Sequence, residues 1–238
     1  CVSNSTMPYK DYLECRELNL IINIFFNDRV FEETIKILKF LKVDIFSFFK
    51  SLLFYKNSKR FNELIELFVN ETRGELFSTL EEAKEFFENP DNYDGYINGE
   101  FGANLIFKYK TLSLTFYFND ICEVLIENLK ILSEQLNLSI DQKELLTESV
   151  IYRKLQIENI FDEKFNNKSH YFRFKFDNIK ENHVLYPKKY LKSNKIINFG
   201  FNKNQKKEIS NYISLFGKDI IGVSRILSRA RITNFYRK

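Results

Sequence analysis

Glu100 is the side chain best placed for chemistry in this sequence, because it stands between Gly99 and Phe101-Gly102, where a permissive backbone can aim a carboxylate at a ligand. Gly95, Gly99 and Gly102, interspersed with Asn92, Asp94 and Asn98, mark 91–102 as a turn-rich loop. The competing role for Glu100 is structural: together with Asn104 it would cap the helix that follows.

Other chemistries find less material. A metal site needs converging thiolate or imidazole ligands, and His170, His183, Cys1, Cys15 and Cys122 are too scattered to form one. There is no phosphate loop ending in Lys-Ser/Thr, no dinucleotide fingerprint and no Gly-x-Ser-x-Gly elbow. Carboxylates one helical turn apart, such as Glu81 with Glu85 and Glu123 with Glu127, read as solvated helix faces. No catalytic, cofactor-binding or metal-binding residue is therefore assigned.

Positive charge gathers at the C-terminus, where Lys218, Arg225, Arg229, Arg231, Arg237 and Lys238 face a single acid, Asp219. Arg225 and Arg229 read as residues that dock a terminal helix on acids of a neighbouring domain. The same interleaving of arginines with Phe235 and Tyr236 would suit phosphate contacts and base stacking. With a net charge of +4, from 36 basic and 32 acidic residues, the whole surface does not demand a polyanionic partner. A nucleic acid is thus the less expected partner.

With 44% hydrophobic residues, the 238-residue chain can bury a substantial core. Its 26 Phe and 13 Tyr have a plain source in AT-rich coding. Three unpaired cysteines suggest a reducing cytoplasm, and neither a secretory signal nor a membrane span is expected. The opening at Cys1, with Met7 as the only methionine, is read as the interior of a longer reading frame or the product of a cleavage.

The elements that must position these residues are mostly helical. Apolar spacing predicts helices from a Thr6 cap and Pro8 to about Asn27, from Phe31 to Leu41, after an Asp44 cap, and from about Phe61 to Gly74. A fifth helix is expected after a Ser78–Glu81 capping box, one long helix over Ala103 to Leu136, and another over Asp141 to Asn159 with Asp141 and Glu144 at its start. Phe172, Phe174 and Phe176 alternate with Tyr171, Arg173 and Lys175, the period of a half-buried strand, and 195–201 is a weaker strand candidate. Two helices, from about Lys203 to Phe216 and Asp219 to Arg229, close the chain around Gly217. The expected fold is mainly α: a helical bundle over 1–160 with a small α+β region over 161–238 packed on it.

Three passages carry a family resemblance. They are Ser5-Thr6-Met7-Pro8-Tyr9-Lys10-Asp11-Tyr12 with Arg16 and Phe25-Phe26-Asn27; Gly99-Glu100-Phe101-Gly102-Ala103-Asn104; and Phe216-Gly217 with Gly222, Arg225-Ile226-Leu227, Arg231 and Tyr236-Arg237-Lys238. In this order they resemble the C-terminal region of cobalamin-binding radical SAM proteins. The resemblance implies upstream domains of the same polypeptide that hold cobalamin, an iron-sulfur cluster and S-adenosylmethionine for methyl transfer or radical chemistry. The family's cluster motif, Cys-x-x-x-Cys-x-x-Cys, does not occur in this chain, so no cofactor is expected to bind to it alone. The implied role is a catalytically inert cap, with Gly99, Glu100 and Asn104 on the substrate side and Arg225 and Arg229 docking it. The alternative is a free-standing helical interaction module, with nucleic acid as a candidate partner of its basic C-terminus.

Overall fold

The computed structural model describes residues 5–77, 79–98, 104–162, 164, 166–176 and 192–238. Helix α1 (Tyr9–Ile22) runs on into a π-helical turn, Asn23–Asn27, and α2 (Glu32–Phe40), α3 (Ile45–Leu53) and α4 (Lys59–Gly74) follow. Pro8, not Thr6, is the N-cap of α1. Asp44 caps α3 by accepting from the Phe46 amide at 3.1 Å. The apolar spacing is realised as burial: Leu20, Ile24, Leu38, Leu52, Leu64 and Phe68 are each at most 1% exposed.

Four further local expectations are corrected. Helix α5 (Leu80–Glu88) is capped by Thr79, which accepts from the Glu82 amide; Ser78 lies outside the described residues. The stretch read as a turn-rich loop contains α6 (Pro90–Asn98), with Gly95 inside it. Pro90 begins this helix, where a missing amide hydrogen is harmless, and Asn89 accepts from the Asp91 amide at 3.0 Å.

The expected long helix is two, α7 (Leu105–Leu114) and α8 (Phe118–Gln135). Thr111, Ser113 and Thr115 hydroxyls donate to carbonyls four residues back, a bonding that bends helices. The Tyr117 amide then reaches the Leu112 carbonyl, and the chain turns. Helix α9 (Ile140–Ile157) starts in a capping box of Ser139 and Gln142. Asp141 and Glu144 pair instead with Arg173 of the strand above.

The sheet has two antiparallel strands, β1 (Lys168–Phe174) and β2 (Lys192–Phe199), with His170 opposite Ile197 and an irregularity between Phe172 and Phe174. Phe172, Phe174 and Phe176 point inward, as their alternation requires, and Tyr152 of α9 packs against Phe172, Phe176 and Phe199. The Glu148 carboxylate accepts from the Arg173 and Phe174 amides, which fastens β1 to α9. Helices α10 (Lys203–Phe216) and α11 (Ile220–Arg229) and a 3-10 turn, Ile232–Phe235, complete the described chain. Phe172, Phe199, Ile226 and Phe235 belong to the same buried cluster as Leu20, Leu125 and Val150.

Candidate functional site

A polar seam joins α2 to α9. Glu33 and Arg153, 1% and 2% exposed, form an ion pair across it, and the Thr34 and Ser149 hydroxyls meet at 2.7 Å beside them. Burial works against the charge on Arg153, but Glu33, Tyr236 and Tyr152 together outweigh it and the net shift is upward. Arg153 lies at a position of the buried α9 stripe, one turn from Ser149 and beside Gln156.

The C-terminal residues close over this seam. The Arg153 guanidinium stacks 4.4 Å from the Tyr236 ring centre. Arg237 donates from Nη1 to the carbonyls of Leu155 and Glu158, at 3.2 and 2.6 Å, and covers the Phe201 ring. These are the free carbonyls at the end of α9, so a cation there also complements the helix dipole. Gln205 donates to the carbonyls of Asn234 and Tyr236, while Gly200 and Lys238 exchange backbone hydrogen bonds in both directions.

Two glycines shape the α10–α11 corner. Gly217 has φ of 84°, a conformation that glycine tolerates best. A Cβ on Gly222 would fall 2.1 Å from the Phe216 carbonyl oxygen, so only glycine lets α11 approach this closely.

Between these parts lies a cleft of about 690 Å3. One wall is Asn27, Asp28, Arg29 and Glu32, where the π-helical turn ends; Arg29 adopts φ of 56° to turn the chain. Lys110 and Leu114 of α7 and Arg153 and Gln156 of α9 form further lining, and 227–233 with Tyr236 and Lys238 completes it. Lys110 pairs with Asp28 at 2.6 Å and Glu32 with Lys36 at 2.9 Å. Arg29, Arg229 and Arg231 also line the cleft, are exposed, and form no ion pair with a described acid. Beneath them, Arg153 Nε and Nη1, Gln156 Oε1 and the Tyr236 hydroxyl are buried without a hydrogen-bond partner among the described residues. Burial pushes the Tyr236 phenol up to about 12 despite the neighbouring Arg153 charge, so it is a neutral donor at ordinary pH.

Of the expected site residues that are described, Arg229 lines the cleft, and Asn104 and Arg225 do not. Gly99 and Glu100 lie outside the described residues, as do Gly102, Cys1 and His183. Asn104 is the N-cap of α7, its Oδ1 accepting from the Phe107 amide at 3.2 Å. Arg225 is exposed on α11 and does not line the cleft, whereas Arg229, one turn later, does. Arg229 donates to the Arg225 carbonyl and sits over the Phe216 ring. Phe235 and Tyr236, considered for base stacking, are 0% and 4% exposed and serve the core. Sequence reasoning missed Arg153, Glu33 and Gln156, although Arg153 and Gln156 continue the Leu146–Ser149 stripe and could have been flagged as polar groups at core positions.

Among the described residues no group of three or more His, Cys, Asp or Glu could hold a metal ion. Cys122 is buried, Cys15 is exposed on α1, and His170 packs its ring 4.7 Å from Phe172. Cys15 and Cys122 therefore do not belong to a cluster-ligand set among the described residues. No described helix is long and apolar enough to cross a membrane. No family model, curated protein or solved structure matches this chain.

Proposed function

We propose that this chain is the C-terminal accessory region of a cobalamin-dependent radical SAM enzyme, a cytoplasmic protein in which it caps the catalytic barrel of the same polypeptide. The observation that carries this reading is the job done by the closing passage. Gly217, Gly222, Tyr236 and Arg237 each meet a specific geometric demand: a positive φ, a close helix approach, a stack on Arg153, and the carbonyls that end α9. Their order resembles that of the family's closing segment, and this resemblance supports the reading.

In this role the helical body supplies rigid apolar faces that keep water from a reactive intermediate, while the iron-sulfur cluster, S-adenosylmethionine and cobalamin belong to the upstream domains. Arg225 and Arg229 dock the cap on acids of those domains, and Gly99, Glu100 and Asn104 face the substrate.

The test is to read the frame upstream of Cys1 and assay its complete product. An in-frame Cys-x-x-x-Cys-x-x-Cys, and a reduced protein that cleaves S-adenosylmethionine, are expected. A start codon with no such segment overturns the assignment. In the complete protein, unchanged turnover and unchanged melting temperature in Glu100→Ala and Arg225→Ala would remove both residue roles.

A further inference from the structure

The cleft between α9 and the α11 corner carries more charge chemistry than the accessory role uses. Guanidinium groups match the geometry of phosphate and carboxylate oxygens, and three of them, Arg29, Arg229 and Arg231, line this one cleft from segments about two hundred positions apart; none forms an ion pair with a described acid, although the Glu32 carboxylate feels the Arg29 charge. Below them, atoms of Arg153, Gln156 and Tyr236 are buried without partners. Unpaired buried donors and acceptors are costly, and a fold that retains several at one place commonly satisfies them with a bound group.

The volume, about 690 Å3, lies within the range of small-ligand sites, roughly 300–1,000 Å3. Shape and sign also separate the classes of anion. Asp28 and Glu32 stand on the wall beside Arg29, so the positive field is confined to the concavity and does not extend as a stripe. An extended nucleic-acid backbone would run across those acids, whereas a compact anion would not.

We propose that this cleft binds a phosphorylated small molecule, with its phosphate held by Arg29, Arg229 and Arg231 and its polar body directed toward Gln156 and Tyr236. The site shares Arg229 with the docking role given under Proposed function, but binding to the chain alone, read through Arg29 and Arg231, is tested apart from that docking.

Inorganic pyrophosphate is the probe, titrated calorimetrically into the 238-residue chain at low salt. Saturable one-to-one binding is expected, weakened at least about tenfold in Arg231→Ala and Arg29→Ala and changed less than about twofold in Lys207→Ala, which alters an exposed cation of α10 outside the cleft. The rim variants replace exposed side chains, and circular dichroism verifies that they remain folded. Citrate serves as a carboxylate control. Absence of saturable binding overturns the site, as does an equal loss in Lys207→Ala, which would mean diffuse attraction to a basic surface. Citrate binding as tight as pyrophosphate overturns the phosphate assignment. A single-stranded oligonucleotide that binds more tightly through the same arginines overturns the small-molecule assignment.

Discussion

Arg237 Nη1 donates to the Glu158 carbonyl at 2.6 Å, while the carboxylate of the same Glu158 pairs with Lys168 at the start of β1. One residue at the end of α9 thus ties the last residues of the chain to the first strand of the sheet. Arg237→Ala strands the Leu155 and Glu158 carbonyls and should cost at least about 2 kcal/mol in denaturant unfolding. Arg237→Lys, which keeps the charge but not the planar fork, should recover less than half of that.

The Glu33–Arg153 pair makes a sharper prediction. Removing one partner leaves a buried charge uncompensated, so Glu33→Leu and Arg153→Met should each destabilise by about 3–5 kcal/mol. The double variant, with no charge left in the seam, should be more stable than either single one. A double-mutant cycle by urea unfolding measures this, and additive losses would refute it.

Glycines of opposite character give a paired test. Gly222→Ala drives a Cβ into the Phe216 carbonyl and should lower stability by about 1–3 kcal/mol. Gly74, the last residue of α4, has open space where a Cβ would go, so Gly74→Ala should stabilise by about 0.5–1 kcal/mol. Thermal melts of the two variants should move in opposite directions.

Two glutamates should titrate with opposite effects on stability. Burial pushes the Glu158 carboxyl up, but the Lys168 ammonium, Asn119 and Lys154 together outweigh it and the net shift is downward. Its stabilisation is complete above the ordinary glutamate value and is lost as pH falls through the depressed one. The gap between wild type and Glu158→Gln should therefore close on acidification. For Glu148, burial outweighs the Arg173 and Phe174 amides and the shift is upward. That contribution is present below the ordinary value and lost as pH rises through the raised one, so Glu148→Gln should gain on wild type from acidic to neutral pH.

Burial pushes the Cys122 thiol well above its usual range, and the side chain is 0% exposed. Maleimide labelling read by peptide mass spectrometry should modify Cys15 in the native protein and Cys122 only after unfolding.

Much of the architecture could be read from residue periodicity. Phe172, Phe174 and Phe176 disclosed their strand, Lys203 to Phe216 its helix, and Gly217 its end, because each signal is local and agrees with the tertiary outcome. The α7–α8 break was hidden because Leu112 and Phe116 keep helical spacing while the Thr and Ser hydroxyls between Thr111 and Thr115 bend the backbone. Helix α6 was hidden because its Asn, Asp and Gly content favours turns, and Pro90 with the Asn89 side chain overrides that preference. The cleft was illegible for another reason. Arg29, Arg153 and Arg231 are brought together only by the packing of α9 and the terminal corner, and no local pattern announces a meeting across the length of the chain.

The seam between α2 and α9 also sets a schedule. Glu33 and Arg153 are 120 positions apart, and at about 5–20 residues per second of synthesis the acid waits on the order of 6–24 s for its partner. During that interval α2 has α3 beside it but not α9, and the Glu33 carboxylate must take water as its partner. The ion pair at the centre of the finished seam can therefore form only after α9 has been made.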